Sequence, residues 1–236
     1  MKKYFALIIT AIIVLTCFTA CKPKIKGGEV FTDAANNNYA AVTKEDGGIE
    51  RDQAGNLIVL VTDSNGRNVK DDNGEYETKA VAIEHALVVG NRIECPRFAI
   101  TIPNGWSDKL SFTDLVLTKD GTKDVIKVSV STDKKLNDVV DEYNSLLGQI
   151  KSLHPSAEKG SREIKITDDI TGEFIYAYVA DTGARDENLN VLSSYLGYIV
   201  FRNNTAIYTC QITSDRDMAD QIDEIAEILG TLEFIY

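Results

Sequence analysis

Cys17 and Cys21, four residues apart, are the first residues in the chain whose types and spacing could serve chemistry. A pair of thiolates can bind a metal ion or form a redox-active disulfide. A zinc site, however, needs about four ligands, and no further cysteine or histidine lies near this pair. The spacing alone therefore gives little support to a metal or redox site.

The residues before Cys21 have the composition of an export signal. Lys2 and Lys3 form a basic start, an uncharged apolar run follows over residues 4–18, and small residues fill positions 19–20. This order is typical of a secretory signal peptide. The apolar run is no longer than the ~17-residue minimum for crossing a bilayer, so an uncleaved anchor helix is the less favoured alternative. In either case we expect the rest of the chain to be exported.

The segment FTAC, residues 18–21, resembles the lipobox of bacterial lipoproteins. In that family the cysteine receives a diacylglyceryl group on its sulfur and becomes the mature N-terminus. The resemblance implies that Cys21 is the lipidation site, with Cys17 as its rival, and that residues 1–20 are the signal peptide. Two or more acyl chains hold a protein firmly to a membrane. It thus implies a lipid-anchored protein on the extracytoplasmic side of the cell membrane.

Cys95 and Cys210 are the remaining cysteines. In an exported protein two cysteines can pair, and a loop of this length would contribute roughly 4–5 kcal/mol in the chain-entropy model. The alternative is two separate buried thiols. The sequence leaves both open, because it does not give the separation of the two Cα atoms.

No catalytic, metal or cofactor site is predicted. The two histidines, His85 and His154, lie far apart, and neither a zinc-protease motif, a nucleophile elbow nor a phosphate-binding glycine loop is present. Trp106, the lone tryptophan, is a candidate partner-binding residue. The alternative, which we favour, is a ring packed over the edge of a sheet.

Two larger groups of side chains allow either a binding or a structural interpretation. The tyrosines could stack on a sugar or pair across strands, and we favour pairing; they are Tyr176, Tyr178, Tyr195, Tyr198 and Tyr208. The acidic residues near the end could bind a cation or line the solvated face of a helix, and we favour the helix face; they are Asp215, Asp217, Asp220, Asp223, Glu224 and Glu227.

The chain carries a formal net charge of −11, with a pI of about 4.7. An acidic surface repels phosphate backbones, so nucleic acid is not an expected partner. The expected partners are the membrane, through the lipid, and another envelope protein.

The patterning divides the chain into four parts. After the signal peptide, residues 21–55 read as a flexible tether, and 56–91 read as a short β-hairpin-rich extension. Asp-x-x-Gly recurs at 52–55, 63–66 and 71–74. These repeats lack the ligand spacing of a calcium loop and predict turns.

Residues 92–236 read as one α+β domain. Alternating strands come first, then a helix whose apolar stripe runs from Leu136 to Ile150, four more strands, a helix from Ser214 and a short final strand. The strands at 173–180 and 195–201 are apolar on both faces, so both faces must be covered. We therefore predict an antiparallel sheet with helices on both faces, an α/β/α sandwich.

This order of elements, with the motif I-x-I-P-x-x-W at 100–106, resembles the PsbP-like fold over about residues 95–236. Known members bind or support other proteins and share no catalytic site, so the resemblance implies no functional residue. The leading hypothesis is a lipid-anchored, non-catalytic envelope protein that binds or supports another envelope component. The alternatives are a small envelope hydrolase and a small-ligand carrier with an apolar cavity.

Overall fold

The structure, a computed structural model, describes residues 30–235 apart from 34, 45–46, 111–114 and 219–220. Fifteen strands and two helices lie in this part of the chain. They are β1 Val30–Thr32, β2 Asn38–Ala40, β3 Leu57–Leu60, β4 Thr78–Val81, β5 Leu87–Val89, β6 Arg92–Glu94, β7 Phe98–Thr101, β8 Trp106–Leu110, β9 Leu115–Lys119, β10 Val125–Ser131, α1 Leu136–Leu153, β11 Glu158–Lys165, β12 Thr171–Val179, β13 Ser194–Asn203, β14 Ala206–Ser214, α2 Ile222–Gly230 and β15 Glu233–Phe234.

The largest element is an antiparallel sheet of seven strands in the order β11-β12-β13-β14-β10-β9-β8. β13 and β14 form its centre and pair from Tyr195 opposite Ser214 to Asn203 opposite Ala206. β11 forms one edge, where six of its eight residues are exposed and Lys159, Arg162 and Glu163 are charged. Charged side chains on an edge strand discourage pairing with another sheet.

The predicted α/β/α sandwich is wrong, because the chain is mostly antiparallel sheet and helices do not cover both faces. On one face of the large sheet, α1 packs Val139, Val140 and Leu147 against β12 and β13. On the other face, the core joins the sheet to β6 and β7 of a second, four-stranded sheet ordered β15-β7-β6-β5, together with the nine-residue α2. The apolar pattern shows only that a face is buried. It does not distinguish a covering helix from a covering second sheet.

The long helix is confirmed over Leu136–Leu153, but the second helix begins at Ile222 rather than at Ser214. The Ser214 hydroxyl donates to the buried Asp124 carboxylate at 2.7 Å, and Arg216 pairs with the same carboxylate. The Arg216 amide also donates to the Ser214 hydroxyl at 3.1 Å. A local bond of this kind competes with helical backbone bonds, so the chain bends here before α2 starts. Neither helix in the described part of the chain is long and apolar enough to cross a membrane.

Residues 30–55, expected to belong to a flexible tether, are packed in the described part of that range. β1 and β2 pair with each other, and Phe31, Ala41 and Ile49 are buried with Leu57 and Leu87 in a core of their own. The tether prediction therefore extended too far along the chain, because short polar turns between single apolar residues resemble an unfolded segment in composition.

Two closed rings of backbone hydrogen bonds organise residues 42–77. In the first hairpin ring, residues 42–58, Val42 N donates to Ile58 O, Ile58 N to Glu50 O and Glu50 N to Val42 O, at 2.8–2.9 Å. The second hairpin ring, residues 61–77, repeats this 19 residues later with Val61, Val69 and Glu77, at 2.9–3.0 Å. Each ring thus ties two successive hairpins together through backbone atoms alone.

The predicted Asp-x-x-Gly turns are confirmed as the ends of these hairpins. At 52–55, the Asp52 carboxylate accepts hydrogen bonds from the amides of Ala54 and Asn56, both at 2.9 Å. Gly55 has φ +82°, a value that glycine adopts readily and other residues do not. The turns at 63–66 and 71–74 have the same bonds and the same positive φ at glycine.

Candidate functional site

The predicted lipidation site, Cys21, and its rival Cys17 lie outside the described residues. The described fold begins at Val30, nine residues after Cys21. Lipidation of Cys21 therefore stays a prediction from the sequence.

Cys95 and Cys210 are both buried and are not joined to each other. Cys210 lies in β14, opposite Val128 on one neighbouring strand and Ile199 on the other. Burial raises the pKa of its thiol to about 12, so the thiol is protonated and unreactive near neutral pH. Of the two alternatives left open by the sequence, the structure shows separate buried cysteines.

Trp106 is a packed core residue and not an exposed partner-binding side chain. It is 5% exposed, and its indole Nε1 donates to Glu224 Oε1 at 3.3 Å. Lys119 Nζ lies 5.7 Å from the ring centre and pairs with Glu224 at 2.7 Å. The hydrogen bond from Lys119 holds the pKa of the Glu224 carboxyl below its ordinary value. The candidate partner-binding role is wrong, and the packing alternative is right.

The tyrosines also pack within the fold. Tyr176 stacks between Phe174 and Tyr195, with ring centres 5.2 and 5.6 Å apart, and Tyr195 is buried. On the opposite face Tyr198 stacks on Tyr143 of α1 at 3.9 Å. These rings pair with one another, as the structural interpretation expected, so they do not form one flat platform for a sugar.

Some of the acidic residues near α2 form ion pairs with basic neighbours. Besides Glu224 with Lys119, Asp223 pairs with Arg162 at 3.3 Å and Asp215 with Lys123 at 3.1 Å. These three acids therefore connect α2 and the segment before it to β9, to β11 and to the β9–β10 turn. No cluster that could hold a metal ion is found among the described residues.

Four clefts are described on the surface, and no histidine lines any of them. His154 follows the end of α1 and His85 lies before β5. The structure does not bring either one into a described cleft with a carboxylate and a hydroxyl, an arrangement that a hydrolase site would need.

The cleft of about 270 Å³ beside β15 contains an ionic cluster centred on the buried Glu94. Glu94, 2% exposed, accepts from Arg51 at 3.0 Å and lies 3.5 Å from Arg92. Arg92 also donates to Glu233 at 2.7 Å, and this bond raises the pKa of its guanidinium. Two positive and two negative charges therefore neutralise each other, and they tie the first hairpin ring to β6 and β15. This cluster stabilises the fold and leaves little net charge to attract a ligand.

The segment between β12 and β13, residues 181–193, presents the most unusual exposed side chain. We call it the acidic hairpin, because it holds Asp181, Asp186 and Glu187 but one basic residue, Arg185. Its turn has the Asp-x-x-Gly geometry, with the Asp186 carboxylate accepting the amides of residues 188 and 190 at 2.8 Å. Leu189, however, stands in the glycine position, with φ +64° and 81% exposure.

This leucine was missed in the sequence, although a signal was present. Asp186 and Leu189 have the spacing of the three Asp-x-x-Gly turns, with leucine in place of glycine. Val191, two residues further on, is also 51% exposed. The hairpin is held firmly: Thr182 N donates to Leu192 O at 3.0 Å, and Asp186 N to Asn190 O at 3.0 Å.

A cleft of about 480 Å³ lies at the start of α1 and has the opposite charge. Lys134, Lys135 and Arg202 are exposed around it, and Asp138 is the one acid in its lining. The half-buried Leu136 supplies apolar surface, and Ile207, 3% exposed, also lines the cleft. We call this cleft the basic socket.

No protein-family model matches the chain, and no curated protein matches it. Solved structures resemble it at low identity. A protein of Bacteroides thetaiotaomicron is 11% identical with a TM-score of 0.40, over 58% of this chain and 44% of that one. The cyanobacterial PsbP of Synechocystis sp. PCC 6803 is 15% identical, with a TM-score of 0.40, over 67% of this chain and 96% of that one.

The Ran-binding protein Mog1p of Saccharomyces cerevisiae is 10% identical, with a TM-score of 0.38, over 59% of this chain and 91% of that one. The neighbours thus include a PsbP, the kind of protein to which the sequence resemblance points, and a Ran-binding protein. At TM-scores below 0.5 these likenesses carry no argument about what this chain binds or does.

Proposed function

We propose that the protein is a lipid-anchored, non-catalytic binding module on the extracytoplasmic face of a bacterial membrane, where it binds or supports another envelope component. The observation that carries this proposal is the segment from Lys2 to Cys21, with its basic start, apolar run, small residues and cysteine. No other stretch of the chain has this composition.

The position of the fold relative to Cys21 is consistent with such an anchor. A fully extended chain spans at most about 3.5 Å per residue, so the nine residues from Cys21 to Val30 reach no further than about 30 Å. A lipid on Cys21 would therefore keep the folded body close to the bilayer surface. Because the body is acidic, anionic lipid headgroups repel it, and its surfaces stay available to other proteins.

Membrane fractionation and mass spectrometry test the anchor. We expect the wild type in the membrane fraction, with a diacylglyceryl group on the Cys21 peptide, and we expect Cys21→Ser to lose both. Cys17→Ser is the matched control, since it removes the neighbouring thiol inside the signal and should leave the lipid in place. An unmodified Cys21 in a protein whose leader is cut elsewhere would refute the proposal.

Crosslinking in intact membranes tests the binding role. A component that is recovered with the wild type and lost with Cys21→Ser would support an envelope partner that depends on anchoring. Recovery of the same component with both proteins would show that the anchor is not needed for the interaction.

A further inference from the structure

The tip of the acidic hairpin exposes an apolar side chain at a strained position. At five other turns with the same backbone bonds, the residue with positive φ is glycine or asparagine; these are Asn36, Gly47, Gly55, Gly66 and Gly74. A leucine there is disfavoured by the contact between its Cβ and the backbone. Leu189 nevertheless occupies it with 81% of its surface in water, so neither local geometry nor burial in this chain accounts for it.

The surroundings of Leu189 indicate what it can bind. Asp186 and Glu187 precede it in the same turn, and the Arg185 guanidinium is already paired with Asp181 at 2.9 Å. An anionic bilayer would repel such a tip. Charge complementarity instead favours an apolar pocket with a basic rim.

The chain itself contains a pocket of this kind. In the basic socket, Lys134, Lys135 and Arg202 surround the apolar Leu136 and Ile207. Lys134 pairs with Glu142 at 2.8 Å, which leaves Lys135 and Arg202 as the side chains best placed to meet acidic groups.

The hairpin and the socket cannot meet within one molecule. The acidic hairpin precedes β13, whereas Arg202 and Thr205 of the socket lie at the other end of that strand. A ten-residue strand spans about 33 Å. The two surfaces therefore face apart, and only different copies can bring them together.

We infer that the tip of the acidic hairpin, with Leu189 at its centre, binds the basic socket of a second copy of this chain. The contact is heterologous, because each copy uses a different surface, so association proceeds head to tail. A firmly held hairpin loses little conformational freedom on binding, which favours a contact even of modest area. The contact needs no lipid, so its failure would leave the proposed anchor untouched.

Sedimentation of the full chain, extracted from membranes in mild detergent, tests the contact. We expect the wild type to self-associate as concentration rises and to dissociate in high salt. Leu189→Ala keeps the backbone strain but removes most of the apolar side chain, and should weaken association by about tenfold. Lys135→Glu should weaken it to a similar degree. Leu153→Ala is the matched control, since Leu153 is 78% exposed at the far end of α1 and should have no effect.

Mixing two variants tests the head-to-tail geometry. Leu189→Ala retains the socket and Lys135→Glu retains the hairpin, so together they should form one-to-one pairs that grow no further. A wild type that stays monomeric throughout, an association equally strong in Leu189→Ala, or a mixture without pairs would each overturn the inference.

Photo-crosslinking in cells identifies the occupant directly. A photoreactive residue at Asn188 should label residues 134–138 or 202–207 of another copy. The same residue at Asn65, which has the equivalent place in the turn of the second hairpin ring, should not. Labelling of a different envelope protein or of lipid from position 188, without self-labelling, would also overturn the inference.

Discussion

The first and second hairpin rings follow the same backbone path but lie in opposite environments. Residues 19 positions apart correspond: Ile49 and Leu57 of the first ring are buried, whereas Asn68 and Tyr76 of the second are half-buried at most. Over residues 61–80 no side chain is buried at all. One ring is therefore part of a core, and the other projects from it.

The difference shows that backbone bonds and aspartate-capped turns are enough to define this local shape. The first ring is buried through a few side chains, chiefly Ile49, Leu57 and Arg51. The corresponding residues of the second ring are Asn68, Tyr76 and Lys70. Regions with few buried apolar contacts open at lower free energy than the rest of a protein. The second hairpin ring is thus expected to open by itself while the first unfolds with the core.

The largest expected difference between the two rings is the stability lost when an apolar or aromatic side chain is removed. Leu57→Ala removes a side chain with 0% exposure and should lower the free energy of unfolding by about 3 kcal/mol. Tyr76→Ala, at the corresponding position, should lower it by less than about 1 kcal/mol, mainly through the Tyr76–Lys70 contact at 4.8 Å. Urea denaturation of both variants checks this. Equal losses would mean that the two rings are equally integrated.

The next largest difference concerns charge. Arg51→Ala removes bonds to Glu94, Cys95 O and Gly55 O and should cost about 2 kcal/mol. Lys70→Ala, its counterpart, should cost about 0.5 kcal/mol. Adding Glu94→Gln to Arg51→Ala should recover part of the loss, because the buried carboxylate then carries no charge. A double variant less stable than Arg51→Ala would contradict this account.

Backbone strain should lower global stability when it is placed in the first ring and speed local opening when it is placed in the second. Gly55→Ala and Gly74→Ala both force an alanine to φ near +80°, which costs about 1 kcal/mol. We expect the first to lower global stability in denaturant. The second should instead speed amide hydrogen exchange at Val61, Val69 and Glu77, with the denaturation midpoint unchanged. A shifted midpoint for Gly74→Ala would show that the second ring unfolds with the core.

The smallest expected effect depends on pH. Hydrogen bonds from Asn56 and from the Arg67 amide hold the pKa values of Asp52 and Asp63 below the ordinary value of 3.8. A carboxylate with a lowered pKa stabilises the fold above that ordinary value, and the contribution is lost as the pH falls through the folded-state pKa. Because the second ring opens at lower free energy, this loss at low pH should reduce protection of the Asn65 and Arg67 amides more than that of the Ala54 and Asn56 amides. Simultaneous loss would argue against independent opening.

Local periodicity predicted the individual elements well. The strands around 173–180 and 194–202, the stripe from Leu136 and the Asp-x-x-Gly turns all depend on neighbours a few residues apart, and all are present. Periodicity did not reveal what covers the second sheet face, because β6 and β7 meet it from a distant part of the chain. The closure of each hairpin ring was not predicted for the same reason. It joins residue 42 to residue 58 in the first ring and residue 61 to residue 77 in the second.

The candidate site was less predictable. Trp106 is the lone tryptophan, yet it packs in the main core and bonds to Glu224, 118 positions away. The start of α2 was misplaced because Ser214 ends β14, where its hydroxyl donates to Asp124, 90 residues away. Leu189 could have been found by aligning its turn with the glycine turns, but its exposure, which makes it unusual, is a property of the folded chain.

The charged edge strand β11 has a consequence for molecules that lie close together on a membrane. Proteins anchored to the same membrane are concentrated in a thin layer, where exposed edge strands would tend to pair between molecules. Lysine, arginine and glutamate along this strand make such lateral fusion costly, so molecules could gather densely on a surface without merging their sheets.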